Sequence, residues 1–507
     1  MMTATASASS RLSALLSGIA PVAAAQDLEV SGLCLDSRAA RAGDLFLACA
    51  GLRSHGADYL DQALRAGVAA VAWEPRSGFE SLPALDDAAT VPAFAVPDLS
   101  RQVGVIADRF YGHPSSDMCV VGITGTDGKT SCAQFLAGSL HSAEAPCGVI
   151  GTLGYGLYGA TEAASHTTPD ALRLQRLRAQ MRDAGARCVV MEVSSHALEQ
   201  GRVNGVSFDV AVLTNLSRDH LDYHGDERAY ARAKRRLFEL ADLRTAVLNL
   251  NDAFGRELSA ALPAEVTPVG YGLEPLPASE VERQVVGSAL QLGDQGLRMQ
   301  VASPWGEGEV RAPLLGRFNA ANVLAVFSVL LSLGWSFDRA REAMAALPQV
   351  PGRMERFGGG DRPVAIVDYA HTPDALRHVL GALREHCRGT LWCVFGCGGD
   401  RDRGKRPLMG AAAEQLADRV VVTDDNPRNE DPDAIVADIL AGMESPQAAV
   451  LERDRASAIR QALTQARPGD MVLVAGKGHE DYQLVGDRRL PFSDRTLVRQ
   501  VLREGAW

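Results

Sequence analysis

The sequence has no C-x-x-C pair. Its nine cysteines, Cys34, Cys49, Cys119, Cys132, Cys147, Cys188, Cys387, Cys393 and Cys397, are scattered along 507 residues, so a zinc site or a redox motif is unsupported. Several lie in apolar runs and read as small core residues, which suits a reducing cytoplasm. There is no surplus of positive charge: 51 Lys and Arg stand against 62 Asp and Glu, a net charge of -11. That argues against a nucleic-acid binder dominated by backbone electrostatics, although a local basic pocket for a phosphorylated substrate is compatible with it. No apolar run approaches the length of a membrane span. Near the N-terminus, Arg11 followed by LSALLSGIAPVAAA only faintly resembles a signal peptide, because Ser13, Ser17 and Gly18 interrupt the apolar region. Leu12, Leu15, Leu16 and Ile19 instead predict a first amphipathic helix, with a flexible Ala/Ser-rich tail before it. Internal repeats and long low-complexity segments are also missing.

What is present is ordinary globular composition, 46% hydrophobic and 22% charged, in a chain too long for one core. From Val30 to Pro114 short strands and helices are expected, with GVAAVAWE and AFAVPD as buried strands. His113-Pro114-Ser115-Ser116 breaks the pattern and suggests a boundary. From Met118 to about Leu347 apolar runs such as CVVGIT, CVVMEV, VAVLTNL and TAVLNLN alternate with helix-like stretches. Alternation of this kind predicts an α/β fold with a mostly parallel central sheet. The stretch Thr267–Pro313 reads as a small antiparallel insertion, and Pro348–Arg353 as a second linker. Five further strand-like runs, VAIVDYA, LWCVFGC, RVVVTDD, AAVLER and MVLVAG, predict a C-terminal, dinucleotide-fold-like α/β domain. The expected domains are 1–114, 115–350 and 351–507.

The chain is organised around Cys119–Cys132, CVVGITGTDGKTSC. A strand leads into a glycine-rich turn and then a helix, which frees backbone N–H groups, with helix-terminal positive charge, to face phosphate oxygens. Gly125, Thr126, Gly128, Lys129, Thr130 and Ser131 are the candidate phosphate-loop residues. Lys129 would reach the outer phosphates and Thr130 would touch magnesium. The usual P-loop spacing is not met, since Ile123 stands where a glycine belongs, and a glycine-rich turn without a ligand stays open.

Glu192 ends the next informative strand, where a nucleotide's magnesium is commonly held; a solvated strand end is the alternative. Ser194, Ser195, His196, Gln200 and Arg202 follow, more hydrogen-bonding groups than helix capping requires. Asp219, His220, Asp222 and His224 crowd a loop after VAVLTNL, suited to metal or phosphate work or to an ordinary polar turn. In the following helix Tyr230, Ala233 and Leu237 form an apolar stripe, and Lys234 beside it reads, on its own, as a solvated flank.

GTDGKT, MEVSSHALEQGRV, TNLSRDHLDYHG and the Lys234 helix together resemble the Mur ligases of peptidoglycan synthesis, over nearly the whole chain from Asp36-Ser37-Arg38 to Phe492-Ser493-Asp494. Asp127 stands where the family usually has Asn, and Phe318 where many members have His. The resemblance implies UDP recognition in 1–114, ATP binding in 115–350 and amino-acid docking in 351–507. It also implies phosphorylation of a UDP-linked dipeptide carboxylate by ATP, then attack on the acyl phosphate by an amine. Lys129, Glu192, His220 and Lys234 match the catalytic and magnesium-binding positions, with Lys234 carbamylated by carbon dioxide. Asn251, Asn319, Asn322, Arg353, Asp368 and His371 match positions near ATP. Ser37 resembles the uridine stretch, and Thr167, Thr168, Ser194, Gln200 and Arg202 the groups that hold UDP-N-acetylmuramoyl-L-alanyl-D-glutamate.

VVTDDNPRNEDP is the most discriminating stretch. The resemblance implies that Asp425, Asn426 and Arg428 select meso-diaminopimelate over lysine, because a guanidinium can clamp the second carboxylate that lysine lacks. Arg401, Gly476 and Glu480 match further substrate positions. Taken alone, Asn-Pro reads as a turn. A lysine-adding ligase, a folylpolyglutamate synthase and a non-catalytic nucleotide-binding module are the alternatives. A cytoplasmic monomer without nucleic-acid or membrane partners is expected.

Overall fold

A computed structural model describes residues 9–51, 54–76, 81–82, 91–293 and 296–505. The expected N-terminal tail lies mostly outside them. The chain forms two compact units, one of residues 1–271 with 276–284 and one of 272–275 with 285–507. Among the described residues no helix is long and apolar enough to cross a membrane.

Among its described residues the first unit contains two sheets beside the short antiparallel pair Ser10–Arg11 and Glu29–Val30. Four parallel strands, Gly32–Cys34, Asp44–Ala48, Ala70–Trp73 and Ala93–Ala95, form the N-terminal one in that order. Asp44–Ala48 is buried throughout, and its period-2 alternation sends Leu45 and Leu47 into one core and Phe46 and Ala48 into another. Ala93–Ala95 buries only Phe94, so AFAVPD is an edge strand and not the fully buried one its composition suggested. The helix Leu99–Phe110 packs Val103, Ile106 and Phe110 against the first of these cores. The expected amphipathic N-terminal helix is shorter than its spacing implied: only Leu12–Leu15 is helical, and Gly18, in the left-handed region at φ +69°, and Pro21 prevent continuation. Its Leu12, Leu15 and Leu16 are nonetheless fully buried.

The larger sheet of this unit runs, in spatial order, Ala160–Glu162, Gly154–Leu157, Cys147–Gly151, Cys188–Glu192, Cys119–Thr124, Val210–Leu213, Thr245–Asn249 and Thr267–Leu273. All are parallel from Cys147–Gly151 onward. Strands buried on both faces read as unbroken apolar runs, which is why CVVGIT, CVVME and VAVL carry little polarity. The phosphate-loop strand Cys119–Thr124 is paired on both sides, so the carboxyl ends of three neighbouring strands converge beyond it.

In the second unit, Gln284–Gly293, Gly296–Ser303 and Gly306–Ala312 form the expected antiparallel meander. Thr267–Leu273 does not join it in sense, since it pairs parallel with Thr245–Asn249. The helix Arg317–Ser332 follows, buried along most of its length. The five expected C-terminal strands are all present and parallel, in the order Val364–Asp368, Met471–Ala475, Leu391–Phe395, Arg419–Val422 and Val450–Leu451. Glu355–Gly358 adds an antiparallel edge. Helices cover both faces of this sheet over two apolar cores.

Candidate functional site

In the first unit the site is built at strand carboxyl ends. After Thr124 the backbone turns through Gly125 at φ +148° and Gly128 at φ +82°, and Gly128 caps the helix Lys129–Leu140. A Cβ at Gly125 would collide with the Thr214 hydroxyl, so the loop needs glycine there for close approach as well as for backbone freedom. Neighbouring strand ends fix the loop. Thr214 Oγ1 donates to Asp127 O at 2.6 Å, Asp127 N to Asn215 Oδ1 at 3.0 Å, and Thr126 N to Asn215 O at 2.9 Å. Asp127 thus enters the loop's framework through its backbone.

Two lysines meet on one carbonyl. Lys129 Nζ folds back to donate to Gly125 O at 2.9 Å and Thr126 O at 2.8 Å, and Lys234 Nζ donates to the same Gly125 O at 2.7 Å. Lys234 is only 1% exposed, and its ammonium lies 4.4 Å from the centre of the Tyr230 ring. Burial, and then the positive charge of Lys129, push its pKa well below the ordinary lysine value. The solvated flank expected of this residue in isolation is therefore wrong: Tyr230, Ala233 and Lys234 are the buried positions of the helix Glu227–Arg235.

Glu192, 1% exposed, accepts from Thr130 Oγ1 at 2.8 Å and from Thr152 N at 2.8 Å. Thr152 Oγ1 lies 3.1 Å from Thr167 Oγ1, and Thr168 Oγ1 donates to Glu192 O at 2.9 Å while accepting from Ser194 N at 3.1 Å. Ser194 also caps the helix Ser195–Glu199. Arg202 joins Thr168 O at 2.9 Å to Gln200 Oε1 at 2.9 and 2.7 Å. Thr130, Thr167, Thr168, Glu192, Ser194, Gln200 and Arg202 are thus one hydrogen-bonded system, well beyond what helix capping needs.

His220 sits in the left-handed region at φ +52°, its ring 4.9 Å from that of His196 and 6.1 Å from that of Tyr230. Burial, with His220 and His224 nearby, pushes His196 down to about 4. Among the described residues no three His, Cys, Asp or Glu side chains gather into a metal-holding group. Asn251 N donates to Asn249 Oδ1 at 3.0 Å, just before the helix Ala253–Ala260. Ser37 is buried in the N-terminal sheet's own surroundings and donates to Gln62 Oε1 at 2.8 Å.

The second unit repeats the plan: most of its candidates follow strand carboxyl ends. Asp368 closes its strand, accepting from Met354 N at 2.7 Å and Ala370 N at 2.8 Å, and burial raises its pKa against the opposing charge of Arg353. Arg353 lies 4.9 Å from the Tyr369 ring centre, and His371 Nδ1 is 2.8 Å from Tyr369 O. Asn319 and Asn322 are buried in the helix Arg317–Ser332, where Asn322 Nδ2 donates to Asn319 Oδ1 at 3.0 Å and Asn319 Nδ2 to Leu315 O at 2.8 Å. Arg428, at φ +52°, donates from Nη1 to Gly399 O at 2.7 Å. A Cβ at Gly398 would lie 2.8 Å from Arg428 Nη1 and 3.6 Å from Arg401 Cγ, so both arginines pass this glycine.

Sequence reasoning missed Lys477, which bonds Asp425, Asn426 and Glu480 together. It also missed the hairpin Tyr482–Val485/Arg488–Pro491, to which the Arg428 backbone is tied by Arg428 N to Leu484 O at 3.0 Å and Gly486 N to Arg428 O at 2.8 Å. Gly486-Asp487 between two short runs was the available signal for that hairpin.

Three family models match the chain: the Mur ligase family catalytic domain over residues 29–111, the Mur ligase middle domain over 123–330, and the Mur ligase glutamate ligase domain over 352–478. A UDP-N-acetylmuramoyl-L-alanyl-D-glutamate--2,6-diaminopimelate ligase of Alkalilimnicola ehrlichii is 54% identical over 497 residues, 97% of this chain and 99% of that relative. A solved structure of a ligase of the same name is 36% identical, with TM-score 0.70, over 94% of this chain and 95% of the other. The MurF ligase from Thermotoga maritima, solved in complex with ADP, shares the fold at 20% identity and TM-score 0.59, over 93% and 96% of the two chains.

Proposed function

Because this chain belongs to the Mur ligase family, we propose that it is the ATP-dependent ligase that joins meso-2,6-diaminopimelate to UDP-N-acetylmuramoyl-L-alanyl-D-glutamate in peptidoglycan precursor synthesis. The observation that carries the ligase chemistry is the meeting of Lys129 and Lys234 on Gly125 O, beside a buried Thr130–Glu192 pair. In this reading an oxygen of the dipeptide carboxylate attacks the γ-phosphorus of ATP and ADP departs, leaving an acyl phosphate. The amine of diaminopimelate attacks the acyl carbon, and the tetrahedral intermediate collapses with loss of inorganic phosphate. Lys129 and the loop's N–H groups would stabilise the phosphoryl oxygens.

The Thr130 hydroxyl and Glu192 carboxylate are buried oxygen donors 2.8 Å apart, which suits a hard cation. With His220 and Lys234 they would hold magnesium, which when bound neutralises charge on phosphoryl oxygens. Lys234 would serve as its carbamate. A neutral amine is the form that adds to carbon dioxide, releasing one proton, and burial beside Lys129 favours that form.

The hydrogen-bonded system of Thr167, Thr168, Ser194, Gln200 and Arg202 would hold the UDP-linked dipeptide, with Ser37 toward uridine. Asn251, Asn319, Asn322, Arg353, Asp368 and His371 would serve ATP. Arg401, Asp425, Asn426, Arg428, Gly476 and Glu480 would receive diaminopimelate. The matched segments support domains at 1–114, 115–350 and 351–507, and nine free cysteines support a cytoplasmic setting. The test is phosphate release by the purified protein. Release should require ATP, the UDP-dipeptide and diaminopimelate together, with lysine a poor substitute. Release independent of the amino acid would overturn the reading.

A further inference from the structure

The strand Met471–Ala475 ends on two glycines that flank a lysine. Gly476 has φ +115° and Gly478 φ +52°, both in the region that favours glycine. A Cβ on Gly478 would lie 2.7 Å from Tyr369 Cβ, so the turn is tight as well as left-handed. This turn sends Lys477 into the protein, where it is 0% exposed.

Its Nζ donates to Asn426 Oδ1 at 3.0 Å, Glu480 Oε2 at 3.2 Å and Asp425 Oδ1 at 3.3 Å. An ammonium has three N–H bonds and accepts none, so three acceptors use its full capacity and leave nothing for a substrate carboxylate. The partners are locked in turn: Asn426 Nδ2 donates to Glu480 Oε2 at 3.1 Å, and Asn426 Oδ1 also accepts from Leu484 N at 2.9 Å. Lys477 is therefore the shared node of residues that come from two different strand ends.

We propose that Lys477 is a positioning residue for the incoming amino acid, offsetting one of the two carboxylates of Asp425 and Glu480 so that the pair receives a single ammonium. This rests on the diaminopimelate reading above. The distal centre of diaminopimelate carries one ammonium and one carboxylate. The Lys477–Asp425–Glu480 group has one net negative charge for the first, and Arg428 supplies one positive charge for the second. These two groups match the two charges of the distal centre, and Arg401, which passes the same Gly398, is a further cation for the other carboxylate of diaminopimelate. Without Lys477, the cation left beside these two largely buried carboxylates would be Arg455, which is itself paired with Asp494, and both strand-end loops would lose their common anchor.

The experiment measures kcat and KM for all three substrates in Lys477→Met, Asp425→Asn and the double variant. Lys477→Met should raise KM for diaminopimelate on the order of 30-fold or more, with KM for ATP and the UDP-dipeptide within about twofold. A general structural loss would move all three together and overturn the proposal. The double variant restores one net negative charge and should regain at least about tenfold over Lys477→Met; no gain would overturn it.

A wild-type measurement needs no folded variant. 2-Aminopimelate keeps the distal carboxylate but lacks the distal ammonium, and its kcat/KM should fall about 100-fold or more below that of diaminopimelate. Equal use of the two would overturn the single-ammonium balance while leaving the ligase reading intact. No turnover with diaminopimelate at all would overturn the ligase reading itself.

Discussion

The two units treat their buried cations in opposite ways. In the first, Lys234 gives its hydrogen bond to a backbone carbonyl and faces a second lysine. Arg178, 0% exposed, donates to Gln175 Oε1 at 2.6 Å and to the Ser115 hydroxyl, and burial pushes it down to about 10. In the second, Lys477 meets Asp425 and Glu480, Arg406 meets Glu430 and Asp438, and Arg455 meets Asp494. Burial alone would lower Arg455, but the Asp494 carboxylate, together with Asp425 and Glu480, more than offsets it and holds the guanidinium above its ordinary value. A buried ammonium without a carboxylate is biased toward the neutral, nucleophilic amine, whereas a buried cation with carboxylates is a fixed charge. The first arrangement suits covalent chemistry on the lysine, and the second suits recognition of a charged ligand.

The largest expected effect breaks the first arrangement. Lys234→Ala should lower kcat on the order of 100- to 1000-fold, with partial rescue by high bicarbonate or short carboxylic acids that supply an oxygen ligand. Lys129→Ala should lower it at least as much. Steady-state phosphate release measures both, and a Lys234→Ala enzyme with most of its turnover would remove the ground for separating the two lysines. Next in size is the recognition side. Arg428→Ala should lose roughly 30-fold to several thousand-fold in kcat/KM for diaminopimelate, with ATP affinity nearly unchanged. It should not gain lysine activity, because nothing new holds the lysine side chain. Unchanged diaminopimelate kinetics would show that Arg428 is not the clamp.

The contrast was half legible in the sequence, and the legible half was local. Strand, glycine turn and helix at Cys119–Leu140 follow from residues adjacent in the chain, as do Glu192 at a strand end and the five C-terminal strands. Burial of Lys234 depends on Gly125, 109 positions away, so on composition alone it read as a solvated flank. Lys477 reaches partners 51 and 52 positions away, and no pattern around it signals them. The N-terminal helix is short for a local reason that its periodicity does not carry: Gly18 and Pro21 follow within two turns and end it.

A smaller effect sharpens the comparison through stability. Arg455 and Asp494 are both 0% exposed and joined by bonds of 2.8 and 2.7 Å. Arg455→Met should cost about 3–5 kcal/mol, because Asp494 would be left as a buried uncompensated charge. Replacing both with apolar residues of similar volume should cost far less. Urea unfolding of the two variants decides this, and equal losses would mean that packing of the guanidinium, and not charge matching, holds the site's floor.

The smallest effect comes from the second unit's departure from its own pattern. His386 is 6% exposed and makes no ion pair among the described residues. Gly316 N donates to its Nε2 at 2.8 Å, so Nε2 is an acceptor, and Nδ1 must carry the proton that goes to Gly293 O at 2.9 Å. Protonation would place a second hydrogen on Nε2, facing a donor. Burial lowers its pKa below the ordinary 6.5, against the favourable Gly293 bond. Below 6.5 the unfolded chain then binds more protons at this residue than the folded one, so stability rises with pH through that window and is flat above it. Acidification from about pH 7.5 to 5.5 should cost about 1 kcal/mol through this group, the scale of one lost hydrogen bond. Urea unfolding at both pH values, in wild type and His386→Gln, isolates the contribution. The variant should be less stable at pH 7.5 but lose less on acidification; the same pH slope in both proteins would show that His386 is not held neutral by this pair of bonds.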